Sequence, residues 1–222
     1  ALISQLGLNN HTVAGDTRFD RVNEISKNVR SYSNLDDFSK EAIVILAGSS
    51  WPEGEKLLAR YYATNKDNNL KLIIAPHQVD DAHIRQIKSL LPEEPALWTK
   101  VKEQPTINSN ILIIDTIGIL SSLYQYANIA YIGGGFGKGI HNTLEAATFS
   151  IPVIFGPNYH KFREAVALAE RKAAFPVNNY DDMENILNQL IRDNSFRQET
   201  GENAGQYVQS HKGATTTILS SI

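Results

Sequence analysis

Short β-branched apolar runs alternate with amphipathic stretches along most of this 222-residue chain, and that rhythm admits very few architectures. The runs are residues 42–47 (AIVILA), 70–75 (LKLIIA), 111–114 (ILII), 128–132 (NIAYI), 152–155 (PVIF) and 174–177 (AFPV). Each is short and mostly apolar, which suits a strand covered on both faces. Between them the spacing predicts helices over 52–64, 79–91, 116–126, 141–150, 162–172 and 181–192, the first with Pro52 near its opening turn. Strand–helix–strand crossovers make the strands parallel. The expected fold is therefore an α/β domain with a doubly wound parallel sheet.

The ends follow a different pattern. Residues 1–12 have no strong period, and 15–20 (GDTRFD) read as a turn into a helix over 21–32. Further helices are expected over 195–209 and 213–222.

Composition narrows the function classes. A net charge of −3 provides no electrostatic footprint for nucleic acid. The chain has no cysteine, which excludes disulfides and thiolate metal sites. No apolar run approaches the roughly 20 residues that span a bilayer. No signal peptide is visible at the start, and the chain begins at Ala1, as a fragment or a processed form would.

Five of the 14 glycines fall within residues 133–139, directly after a predicted strand and before a predicted helix. Bare backbone followed by a helix N-terminus is an anion seat, and a phosphate is its natural guest. The two common nucleotide fingerprints do not fit. G-x-G-x-x-G meets Lys138 or Ile140 where the third glycine belongs, and the P-loop meets Ile132 and Gly139 where it needs glycine and Ser or Thr. Beyond the glycines stand Asn142 and Glu145, three residues apart. Glu145 could accept both hydroxyls of a ribose, as the acidic residue of a dinucleotide fold does. Asn142 and Glu145 also read as a helix cap and its N3 partner, and the two roles are compatible.

In an open α/β sheet, ligands bind beyond the carboxyl ends of the strands. The residues there are Gly48, Ser49, Ser50 and Trp51; Pro76 and His77; 115–118; the glycine loop; and 156–161. Lys138 and Lys161 could add positive charge at a phosphate or sugar, or be solvated loop lysines. His141 and His160 could contact phosphate or carboxylate, or make structural hydrogen bonds; no acidic or histidine cluster with metal-ligand spacing accompanies them. Ser49-Ser50 lacks the G-x-S-x-G pattern of a hydrolase elbow, and the acidic pairs Asp36-Asp37 and Asp181-Asp182 suit helix starts. Trp51 and Trp98 read as core or rim residues.

The segments 14–22 (AGDTRFDRV), 47–55 (AGSSWPEGE), 74–78 (IAPHQ), 113–124 (IIDTIGILSSLY) and 132–165 (IGGGFGKGIHNTLEAATFSIPVIFGPNYHKFREA) resemble the C-terminal half of 3-deoxy-D-manno-octulosonic acid (Kdo) transferases, most of all the Bacteroidetes form. These are bacterial GT-B glycosyltransferases of lipopolysaccharide assembly. The resemblance covers the chain from about Val13, with its motifs in order. It implies two Rossmann-like domains, of which this chain is the second and binds the sugar nucleotide CMP-Kdo. The organisation expected is a linker segment 1–20 leading in from a missing N-terminal domain, one doubly wound domain over 21–194, and C-terminal helices over 195–222 that either pack on this domain or cross to the missing one. By motif match the donor contacts fall on Pro76, His77, Ile117, Gly118, Ile119, Asn142, Thr143, Leu144 and Glu145, with Ser49, Ser50, Gly134 and Gly135 at neighbouring strand ends. Many relatives carry Arg where His77 stands and Glu where Ile119 stands.

The family's general base lies in a Gly-Ser-x-Gly-Glu-like motif of the N-terminal half, which this sequence does not contain. The resemblance thus implies no catalytic residue here: the chain binds donor and does not turn over alone. It further implies a lipid A precursor as acceptor, no cofactor or metal, and a cytoplasmic full-length protein peripheral to the inner membrane. A UDP-sugar transferase or epimerase of the same fold, and a non-catalytic nucleotide-binding domain, are the alternatives.

Overall fold

The computed structural model describes residues 11–65 and 69–221, and residues 1–10 of the unpatterned segment 1–12 lie outside them. In chain order the elements are α1 (Thr17–Lys27), α2 (Ser33–Ser39), β1 (Ile43–Ser50), α3 (Pro52–Thr64), β2 (Leu70–Pro76) and α4 (Asp81–Leu90). Then come β3 (Ala96–Leu97), α5 (Trp98–Val101), β4 (Ile111–Ile113), α6 (Leu120–Leu123) with a 3-10 turn (Tyr124–Tyr126), β5 (Ile129–Ile132) and α7 (Leu144–Ala147). The chain closes with β6 (Val153–Phe155), α8 (Arg163–Glu170), β7 (Ala174–Pro176), α9 (Tyr180–Arg192), α10 (Asn194–Ser210) and α11 (Ala214–Leu219).

The described strands form one seven-stranded sheet, β3-β4-β2-β1-β5-β6-β7, and every pairing is parallel. Without the two-residue edge strand β3, this is the six-strand order 3-2-1-4-5-6 of doubly wound nucleotide-binding sheets. Alternate residues of each strand feed separate cores. Val44 and Leu46 of β1 join Phe19, Leu35, Tyr124, Leu144, Phe155 and Val208 on one face. Ile45 and Ala47 join Leu58, Ile84, Tyr131, Met183 and Leu187 on the other. A sheet buried on both faces explains why its strands read as apolar runs rather than as alternating ones.

Three expectations needed correction. The helix expected over 116–126 begins only at Leu120, because Gly118 sits at φ +90°, outside helical space, and 114–119 become loop. The helix expected over 141–150 is regular only from Leu144 to Ala147 and ends in turns at Ser150, φ +57°. The helix expected over 21–32 starts earlier, where the Asp16 carboxylate accepts the Arg18 N–H, and gives way to a separate α2. β3 and α5 were too short for any periodicity to show.

The C-terminal helices pack on this domain. Gly201 and Gly205 of α10 lie against Ser150, so close that a Cβ at Gly201 would stand 2.1 Å from the Ser150 carbonyl oxygen. α11 is tied to α1 by Asp20, which accepts the N–H groups of Gly213 (2.7 Å) and Thr215 (2.8 Å). Its last residues, Ile218 and Leu219, are exposed, and the helix expected over 213–222 ends at Leu219, with a turn over 220–221.

Candidate functional site

A doubly wound sheet has its crevice where the strand order reverses, here between β1 and β5. β1 reaches this point through a bulge. Its pairing with β2 shifts between Gly48 and Ser50, and Ser49 takes a left-handed backbone, φ +48°. β5 delivers the glycine loop beside it. The bare backbone in this loop serves protein contact first: a Cβ at Gly133 would lie 1.9 Å from the Ser49 carbonyl oxygen, and one at Gly135 2.5 Å from the Gly156 nitrogen. The loop is thus wedged between the ends of β1 and β6. Asn158 clamps it, its N–H donating to the Gly135 carbonyl (2.9 Å) and its side chain to that of Gly137 (2.8 Å).

The resulting cleft encloses about 510 Å³ and is lined by Trp51, Glu53, Tyr131, Gly134, Phe136, Lys138 and His141, among others. Of the loop N–H groups, those of Gly137, Gly139 and His141 are spent on carbonyls of Gly134 and Gly133. Those of Gly134, Gly135, Phe136, Lys138 and Ile140 take no protein partner among the described residues. Because α7 has a single turn, little helix dipole stands behind them, and the anion seat expected from the sequence is chiefly a loop.

At the start of α7 the polar groups are arranged around Glu145. The Asn142 side chain accepts the Leu144 N–H (3.1 Å) and donates to Glu145 Oε1 (3.0 Å). One side chain thus ties the first turn and holds the carboxylate, but from the position before the N-cap, Thr143, so that Glu145 stands at N2 rather than at the N3 expected. Glu145 Oε2 takes no hydrogen bond among the described residues. Thr143 between them is fully buried, and its hydroxyl has no partner among the described residues. A buried hydroxyl left unpaired costs about 1–3 kcal/mol. Leu144 is buried core.

The remaining expected residues separate by position. Pro76 ends β2 opposite Ser50, and the His77 N–H donates to the Ser50 carbonyl (3.0 Å). The Ser50 hydroxyl points inward to Glu55 (2.7 Å), so this strand end presents backbone rather than side chain. Ile117 stands 79% exposed on the β4–α6 loop, beside Gly118 and half-buried Ile119. His160 and Lys161 are exposed on the β6–α8 loop and do not line the cleft; His160 lies against the Tyr159 ring. Among the described residues no group of three His, Cys, Asp or Glu side chains is placed to hold a metal, and no helix is long and apolar enough to cross a membrane.

Two features were missed from sequence. Trp51 is a cleft residue: its ring stacks on His77 (centroids 4.7 Å apart), and its indole N–H donates to His141 Nε2 (3.0 Å). Burial, and then His77, hold the His141 pKa below the usual histidine value. Its place directly after a strand end was the available signal. The second feature is Glu55, 1% exposed, which accepts from Ser50 and bonds His83 Nε2 (2.9 Å), while His83 Nδ1 bonds the Gln78 carbonyl (2.9 Å). This network ties the β1 end to the loop carrying His77. Glu55 looked like an ordinary first-turn acid, and only the packing of α3 against α4 buries it.

The family model "Glycosyl transferases group 1" matches residues 33–207. The 3-deoxy-D-manno-octulosonic acid transferase of Rickettsia bellii is 29% identical over 219 residues, covering 94% of this chain and 51% of its own length. This chain spans about half the length of the curated relatives it matches. Among solved structures, the C-terminal CMP-Kdo binding domain of WaaA from Acinetobacter baumannii aligns with a TM-score of 0.68 at 17% identity, over 87% of this chain and all of that one. A UDP-N-acetylglucosamine 2-epimerase structure from Listeria monocytogenes, named as putative, aligns at 0.61 with 12% identity, over 89% of this chain and half of that one. These likenesses establish the fold as that of GT-B C-terminal domains.

Proposed function

This chain belongs to the glycosyl transferases group 1 family, and we propose that it is the donor-binding half of an inverting Kdo transferase, holding CMP-Kdo at the β1/β5 crevice. The observation that carries the reading is the Asn142–Glu145 pair at the start of α7, directly after the glycine loop, with one carboxylate oxygen uncommitted among the described residues. Glu145 accepts the ribose hydroxyls. Pro76, His77 and the loop 117–119 face the nucleoside, where exposed Ile117 offers an apolar contact to a base. The N–H groups of Phe136 and Lys138 receive the phosphate.

The chemistry this half supplies is charge stabilisation. As the glycosidic bond to CMP breaks, negative charge grows on the phosphate, and preorganised N–H donors in a partly enclosed cleft stabilise it without reorganising. Activation of the acceptor hydroxyl needs a general base. The other half of the full-length enzyme supplies that base and the cleft for a lipid A precursor, at the cytoplasmic face of the inner membrane. No metal or other cofactor enters.

Calorimetric titration of the chain with CMP and UMP, repeated on Glu145→Gln, tests this reading. CMP is expected to bind in preference to UMP, and the substitution to weaken it by about tenfold to a hundredfold, the value of charge-assisted hydrogen bonds. Preference for UMP would transfer the site to a UDP-sugar enzyme. Kdo transfer by the isolated chain would sink the division of labour.

A further inference from the structure

Three rings meet at the mouth of the cleft. Trp51 and His141 are almost parallel, 10° between planes, and joined edge to edge by the 3.0 Å hydrogen bond, while His77 packs against both at 4.7 and 4.6 Å. An indole nitrogen can only donate. His141 Nε2 must therefore accept, so the imidazole is neutral and its one hydrogen is on Nδ1. A protonated ring would set two N–H groups against each other.

We propose that Trp51 is a positioning residue of the nucleotide crevice: it fixes His141 as the Nδ1–H tautomer, so that His141 meets the anionic part of the donor as a neutral hydrogen-bond donor rather than as a cation. This rests on the donor-site reading above. The charged and titratable groups facing the cleft agree with the assignment. His77 lies on His141 from the β2–α4 loop and opposes a second positive charge. Lys138, from the glycine loop, is already the cation of the cleft lining, and Glu53, from the first turn of α3, is its acid. A neutral donor adds direction to that site without adding charge. The Trp51 bond also removes the usual freedom of a histidine to place its hydrogen on either nitrogen.

The test begins with the ligand-free chain. Nitrogen-15 NMR of the imidazoles is expected to show His141 with an unprotonated Nε2. Trp51→Phe keeps an aromatic ring over His77 and removes the donor. In that variant the Nε2–H tautomer is expected to become populated, and His141 to titrate at higher pH than in the parent. CMP binding to the variant is expected to weaken by about twofold to tenfold near pH 8. That gap should narrow near pH 6, where protonation restores a hydrogen to Nδ1 in the variant. An Nε2–H tautomer in the parent, an unchanged tautomer in Trp51→Phe, or an affinity loss of equal size at both pH values would overturn the proposal. If the lock is seen but CMP does not bind the parent, the donor reading fails instead, and with it the ligand assigned to His141.

Discussion

Where α1 meets α8, α10 and α11, every ionic side chain of the GDTRFD segment ends on protein; along the glycine loop and the start of α7, Glu145 Oε2, the Thr143 hydroxyl and five loop N–H groups take no hydrogen bond among the described residues. Asp16 caps α1 and pairs with Arg18, Arg18 reaches the buried carboxylate of Glu164 (2.7 Å), and Asp20 holds the start of α11. Both segments carry the family resemblance equally well. Hydrogen-bond accounting separates them: a motif whose polar groups are all satisfied internally holds the domain together, and one that leaves buried or directed groups open is built for a guest. The glycine loop follows the same logic within itself, since Gly133 and Gly135 serve contact with Ser49 and Gly156 while the N–H groups of Phe136 and Lys138 remain open.

The most damaging way to probe this contrast is Arg18→Met. It strands the Glu164 carboxylate, which is 7% exposed, without its partner. The expected cost is about 2 kcal/mol in urea unfolding, below that of breaking a fully buried pair because Arg18 itself is half exposed. CMP affinity should stay within roughly twofold. A matching loss of CMP binding would show that the corner belongs to the site and would erase the distinction.

Thr143→Val sharpens the other side. Removing a hydroxyl that has no partner should raise the unfolding free energy of the ligand-free chain by up to about 1 kcal/mol, while CMP binding weakens. A stability loss of that size would mean that the hydroxyl is already satisfied, and the crevice would then resemble the corner.

The smallest effect is in pH. Arg18 holds the Asp16 carboxyl below the usual value of 3.8, and backbone N–H groups of Thr215 and Gly213 do the same for Asp20. Their contributions are therefore fully present above 3.8 and lost as pH falls through the lowered values. His141 lies below its usual 6.5, so its contribution is present above 6.5 and lost as pH falls through its own lowered value. On acidification the crevice should weaken first. The stability difference between the parent and His141→Gln should change on the acid side of 6.5, and that between the parent and Asp20→Asn only on the acid side of 3.8. A single common transition would deny that the two regions are independent.

Six of the seven strands, the parallel order and the crevice loops were legible in the sequence, because a sheet covered on both faces writes itself as apolar runs and its ligand edge follows from topology. The pairing of Asn142 with Glu145 was legible too, since three residues bring neighbours together on one turn. Trp51 was not. Its role depends on His77 and His141, which lie 26 and 90 residues away, and no local pattern contains that meeting.

What the sequence by itself determined was the alternation of strand and helix, and hence a doubly wound sheet with its loops on one edge, because periodicity and turn chemistry are local. Which polar groups are consumed and which remain open was decided only by the tertiary structure. The Ser50 hydroxyl is turned inward by a buried Glu55, the α7 dipole is cut short by a helix of one turn, and the GDTRFD charges are absorbed by residues nearly 150 and 200 positions away. Hydrogen-bond satisfaction is a property of neighbours in space.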